Sequence, residues 1–130
     1  MKSETLEPCL SELRASFPDS FTYDGETYGS VSIVLRDGRK QDCTFWCSPE
    51  GDAWTAMSAI SHSREVALDE LLEVSDINSP VTLVDGKPFL FNRIVMNLDQ
   101  SAAIVDFVGQ TARYADYLQQ KLVGAANDEK

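Results

Sequence analysis

Cys43 and Cys47, in the run Cys-Thr-Phe-Trp-Cys, are the side chains of this sequence best suited to nucleophilic or metal chemistry, and His62 is its one imidazole. A thiolate can attack an electrophile or bind zinc, and an imidazole can take the thiol proton. The spacing argues against both uses. On a strand, residues four apart point the same way about 13 Å from each other at ~3.3 Å per residue, too far to share one ion. A Cys43 and His62 pair would need a third group to orient the ring and donors for an oxyanion, and the sequence offers neither. The two cysteines are therefore expected to serve as small apolar residues, and His62 as an ordinary residue at a helix boundary. Glu65, Asp69 and Asp76 lie in a helical pattern among other acidic residues, which reads as a solvated face. Gly25, Gly29, Gly38, Gly51 and Gly86 sit in or beside turns without phosphate-loop spacing. No catalytic residue, metal site or cofactor is expected.

Composition narrows the partners. The chain has 130 residues, 43% of them hydrophobic, which suits one domain with one core, residues 1–130, ending in a disordered tail at 125–130. Its 21 acidic against 11 basic residues give a net charge of −10, which opposes binding to nucleic acid or to an anionic membrane. No stretch resembles a signal peptide or approaches the ~20 apolar residues of a membrane span, so a cytoplasmic protein is expected. Cys9, Cys43 and Cys47 are an odd number in such a chain, which predicts reduced thiols.

The elements that would position these residues follow from periodicity and punctuation. Leu6, Cys9, Leu10 and Leu13 fall at i, i+3, i+4 and i+7, predicting a helix from about Thr5, as its cap, to Ser16, stopped by Phe17-Pro18. Asp19 to Thr27 reads as a turn-rich connector. Three strands follow, about Tyr28–Arg36, Lys40–Cys47 and Ala53–Ser61, divided by Asp37-Gly38 and Pro49-Glu50-Gly51. In the first, Val31, Ile33 and Leu35 share a face; in the second, Cys43, Phe45 and Cys47 oppose Asp42, Thr44 and Trp46. Ser63 is the expected cap of a second helix to about Ser75, with Ala67, Leu68, Leu71, Leu72 and Val74 on its apolar side.

The strongest local signal is Val81 to Met96. Two strand-like runs flank Asp85-Gly86, a dipeptide suited to a type I′ turn, and Phe89, Leu90 and Phe91 cannot all face water, so both faces of this hairpin should be covered. Asn97 or Asp99 then caps a long helix expected to stop at Gly124. At ~24 residues it spans ~36 Å, enough to cross a five-stranded sheet. Gly109 within it marks close packing on the sheet or on a neighbour. The order of helix, three-strand antiparallel meander, helix, β-hairpin and long helix is that of a two-layer α+β domain. Two helices can cover only one face of its sheet, which leaves apolar surface for a binding role.

That order, with the segment Asp-Gly-Lys-Pro-Phe-Leu-Phe-Asn-Arg running through Asn-Leu-Asp into the last helix, resembles the class I chaperones of bacterial type III secretion, small acidic proteins that hold effectors ready for export. The resemblance spans Leu6 to Leu122. It implies no enzymatic activity, a homodimer, and a partner in the unfolded N-terminal segment of a secreted effector. Carried over, the dimer contact would use Leu68, Leu71, Leu72 and Val74 with Val81 and Leu83. The effector grooves would use Leu6, Leu10 and Leu13 of the first helix and, as outward positions, Ile33, Leu35, Phe45 and Phe91. A regulatory or adaptor domain of similar architecture, binding a folded protein or a small molecule outside secretion, is the other reading.

Overall fold

The computed structural model describes residues 4–25, 28–48, 52–60 and 81–128, with 122–128 as backbone only. The second helix expected from Ser63, with Leu68, Leu71, Leu72 and Val74, lies outside the described residues, as does His62. Helix α1 is Leu6–Ser16, and strands β1 to β4 are Thr22–Tyr23, Tyr28–Val34, Lys40–Cys47 and Ala53–Ala59. The hairpin is β5, Val81–Val84, and β6, Lys87–Val95; a 3₁₀ turn at Leu98–Gln100 leads into helix α2, Ala103–Asp128.

All neighbouring strands are antiparallel, and the sheet has six strands in the order β1-β2-β3-β4-β6-β5, one more than expected. The addition is β1, two residues inside the stretch read as a connector. It pairs Thr22 with Ser30 and Tyr23 with Gly29, and its return is closed by Asp24, whose backbone N–H donates to the Tyr28 carbonyl (2.9 Å) and whose carboxylate accepts the Tyr28 N–H (3.1 Å). At the hairpin, Asp85 and Gly86 have φ of 52° and 78°, both positive as a type I′ turn requires.

Both described helices pack on one face of the sheet. Val31 and Ile33 of β2, Cys43 and Phe45 of β3, and Trp54 and Ala56 of β4 form a buried cluster with Cys9, Leu10 and Leu13 of α1 and with Ile104, Val108 and Ala112 of α2. Farther along α2, Ala115 and Leu118 close over Ile60 and Leu90. Strand alternation puts these residues on a common face, since each buried residue is flanked by less buried neighbours.

Three sequence expectations change on contact with the fold. Thr5 does not cap α1 with its side chain; its carbonyl accepts the Cys9 N–H at 2.9 Å, while its N–H and hydroxyl both donate to an Asp52 carboxylate oxygen at 3.1 and 3.0 Å. Trp54 Nε1 donates to the same hydroxyl at 2.9 Å. The residue that was to satisfy local helix amides is instead a buried tether between α1 and β4, because a hydrogen-bonded partner was within reach where bulk water was not. Gly29, beside the β1–β2 turn as expected, also has a packing role. It lies in β2 opposite Phe45, whose ring occupies the space that a Cβ would need. Gly109 does not mark close helix–sheet packing, because the nearest atoms to a Cβ there belong to Arg113, one turn on, at 3.0–3.4 Å. Gly124 does not stop α2, which runs through it to Asp128.

Candidate functional site

The positions expected to bind a partner separate into two groups. Leu10, Leu13, Ile33 and Phe45 are buried in the core, and Leu6 is packed against it. Ile33 and Phe45 were expected to face outward; both face the helices, and this orientation is corrected. The reason is a parity that sequence alone leaves open. Phe45 and Trp46 are adjacent, one must point each way, and the helices settled over Phe45. Leu35 and Phe91 are half-buried. Of the positions expected at a dimer contact, Val81 is half-buried beside Ile60 and Leu118, and Leu83 is 40% exposed. Both lie on the helix-bearing side of the edge strand β5, through pairing with Leu90 and Pro88.

The opposite face of the sheet carries Phe91, expected to face outward, beside Tyr28, Trp46 and Met57, which the sequence reading did not assign to a site. Tyr28 pairs with Trp46 across β2 and β3, and their rings meet edge to face at 5.6 Å between centroids. Trp46 meets Phe91 of β6 in the same manner at 6.2 Å. Thr44, Met57 and Phe91 form one cross-strand row, which puts Met57 on the same face as the rings. Among the described residues no helix lies on this face. Tyr28 is 55% exposed, Val34 and Val95 more so, while Trp46, Met57 and Phe91 are half-buried. The signal was legible: Trp46 alternates with Phe45, and Met57 with Ala56, on strands already recognised.

Such a row of aromatic edges can bind apolar side chains. Tyr and Trp supply large contact area with few torsions to freeze, and edge-to-face rings hold one another in place. Charge is scarce within it: Lys40, Asp42 and Arg93 are exposed around it, and Ser32 donates to Asp42 at 2.5 Å.

The two edges of the sheet differ. Beyond β1, the outer edge of β2 is blunted by Ser20, whose hydroxyl accepts the Ser32 N–H at 3.0 Å. At the other edge, no described strand pairs with the outer side of β5. Among the described strands, β5 at four residues presents a longer unpaired edge than β1 at two, which suits it better to strand addition.

The thiols are placed for packing. Burial pushes the Cys43 thiol up to about 12. Cys9 is also pushed up to about 12, first by burial and then by the negative charge that Cys47, Asp52 and Glu12 would add. Its Sγ donates to Met96 Sδ at 3.3 Å. Neither is a thiolate near neutral pH, so neither is a ready nucleophile. Among the described residues no three of His, Cys, Asp and Glu converge as a metal site. A separate ion pair joins Arg39, in the β2–β3 turn, to Asp116 of α2 at 3.0 Å, and Arg39 also holds the Asp37 carboxyl below its ordinary value by hydrogen bonding. It ties the middle of α2 to the β2–β3 turn of the sheet. Among the described residues no helix is long and apolar enough to cross a membrane.

No protein-family model and no curated protein matches this chain. Its fold does have a counterpart. The chain is similar in structure to a chain of the HopA1–SchA chaperone–effector complex, over 84% of this chain and 94% of that one, with a TM-score of 0.50 and 9% sequence identity. At that identity the likeness is one of fold, an α+β domain with an antiparallel sheet, which is the fold class expected from the sequence.

Proposed function

We propose that this protein is a cytoplasmic, non-enzymatic chaperone of bacterial type III secretion, which binds the unfolded N-terminal segment of an effector and keeps it soluble and export-competent. The observation that carries the reading is the aromatic row of Tyr28, Trp46 and Phe91 on a sheet face that neither described helix covers. The likeness in fold to a chain of a chaperone–effector complex supports it. An effector segment in extended form would set apolar side chains on this row, and the edge of β5, unpaired among the described strands, offers main-chain pairing beside it. The net charge of −10 serves solubility, and the contact itself is apolar. We further propose a homodimer, whose contact includes Val81 and Leu83 of β5.

Intrinsic fluorescence tests the binding surface directly, because the two tryptophans lie on opposite faces: Trp54 is buried in the core and Trp46 is on the aromatic row. Titration with a candidate effector's N-terminal segment is expected to shift Trp46 emission and to protect the segment from protease. Binding should weaken only modestly between low and high salt. A partner that resists protease when free, or is released by moderate salt, points instead to an adaptor domain. Sedimentation at tens of micromolar tests the dimer, and a monomer there removes that part of the proposal.

A further inference from the structure

The aromatic row has a charged end. Cross-strand pairing sets Tyr28, Trp46, Thr55 and Arg93 in line across β2, β3, β4 and β6. Thr55, one strand on from Trp46, is the small residue of this line, and Arg93 beyond it is exposed. Phe91, whose ring meets that of Trp46 at 6.2 Å, precedes Arg93 by two residues on β6, so both side chains leave the same face. Residues two apart on a strand are separated by about 6.6–6.8 Å. A cation therefore stands one such step from the apolar ground of Trp46 and Phe91.

Among the described residues the ion pairs are those of Arg39 with Asp37 and Asp116, and neither includes Arg93. The described strands place one carboxylate on this face, Asp42, which accepts the Ser32 hydroxyl at 2.5 Å. Asp42 precedes Thr44, the partner of Met57, by two residues, so it lies two rows from Arg93, about 13 Å along the strands and two strands across. With 21 acidic against 11 basic residues, the chain as a whole repels acidic partners at long range. At physiological salt that repulsion is screened beyond about 8 Å, whereas a carboxylate in contact with Arg93 sits well inside this distance.

We propose that the partner of the aromatic row is an extended segment in which an apolar residue stands two positions from an aspartate or glutamate, the apolar side chain seated on Trp46 and Phe91 and the carboxylate on Arg93. This rests on the reading of the row as a binding surface and adds what the row selects. Alternate side chains of an extended segment repeat at the same ~6.6–6.8 Å as Phe91 and Arg93, so one segment lying along β6 reaches both. A guanidinium offers parallel N–H donors to the two oxygens of a carboxylate, and it repels a lysine in the same place. The apolar contact supplies affinity and Arg93 supplies choice, because an exposed ion pair adds little to affinity while a like charge facing it is penalised.

Three synthetic peptides of about twelve residues test the choice. Each carries two leucines at alternate positions in a serine and glycine background, and two positions beyond the second leucine stands glutamate, glutamine or lysine. Each is titrated into the full-length protein at physiological salt and read by Trp46 emission. The glutamate peptide is expected to bind about threefold to tenfold more tightly than the lysine peptide, with the glutamine peptide between them. In Arg93→Gln the three should bind alike, and in Arg93→Glu the order should invert. Arg113→Gln, which removes the same charge from the groove between α2 and β6 on the helix-bearing side, should keep the wild-type order. Equal affinities for the wild-type protein, with a shift in Trp46 emission, overturn this inference and leave the row as an apolar binding surface. An order that persists in Arg93→Gln, or that Arg113→Gln abolishes, has the same consequence. If none of the three shifts Trp46 emission, the reading of the row fails and this inference with it.

Discussion

Phe45 and Trp46 are neighbours on β3, and each stands at the centre of one face of the same sheet. Around Phe45 the rings of Phe21 and Trp54 lie at 6.2 Å and two helices close the space, so that no part of the residue meets water. Around Trp46 the rings of Tyr28 and Phe91 stand at similar spacing, yet the described chain adds nothing above them. Full burial of a large apolar side chain contributes about 1.5–3 kcal/mol. The face of Phe45 has realised that gain within the protomer. The face of Trp46 retains part of it, and a partner that covers the row would collect it. The difference teaches that apolar content does not distinguish a core from a binding surface; cover does.

Alanine at each centre is the sharpest way to break this comparison. Phe45→Ala should lower unfolding free energy by about 3–5 kcal/mol in a urea titration, as large aromatic truncations in closed cores do. Trp46→Ala should cost less than about 1 kcal/mol. A cost for Trp46→Ala equal to that of Phe45→Ala would make both faces core.

For effector binding the order should reverse. Trp46→Ala and Phe91→Ala are each expected to weaken capture of an N-terminal effector segment by about tenfold or more, while leaving the melting temperature nearly unchanged. Calorimetric titration reads this, and unchanged affinity in both variants would move the site elsewhere.

A smaller contrast appears only at alkaline pH. Cys43 and Cys9 have thiols raised from 9.0 to about 12 in the folded protein. The unfolded chain therefore loses these protons first. The stability associated with them is fully present below about pH 9 and is lost progressively as pH rises toward 12. Cys43→Ala should flatten that alkaline decline in denaturant titrations. An unchanged slope would mean that the thiol is not held protonated by the core.

The smallest effect concerns α2. Gly109→Ala should stabilise by up to about 1 kcal/mol, since alanine is the better helix former and only the flexible end of Arg113 has to give. A lower melting temperature would show that the Arg113 contact, on the groove side of the helix, is fixed by something that packs on it.

Local chemistry was enough for much of the fold. The type I′ turn at Asp85-Gly86, the limits of β3 at Lys40 and Cys47, and the stripe of α1 are all written in neighbouring residues. Turn dihedrals and side-chain periodicity act over a few positions, and a sequence states them directly. Tertiary structure alone decided three things. It chose which parity of β2 and β3 faces the helices, because apolar residues stand on both sides and only the docking of α1 and α2 breaks the tie. It turned Thr5 from a cap into a tether, because Asp52 and Trp54, distant in sequence, arrived with better partners than water. It also placed β6 between β4 and β5, an arrangement set by pairing across the sheet, which brought Phe91 beside Trp46 on the face that neither described helix covers.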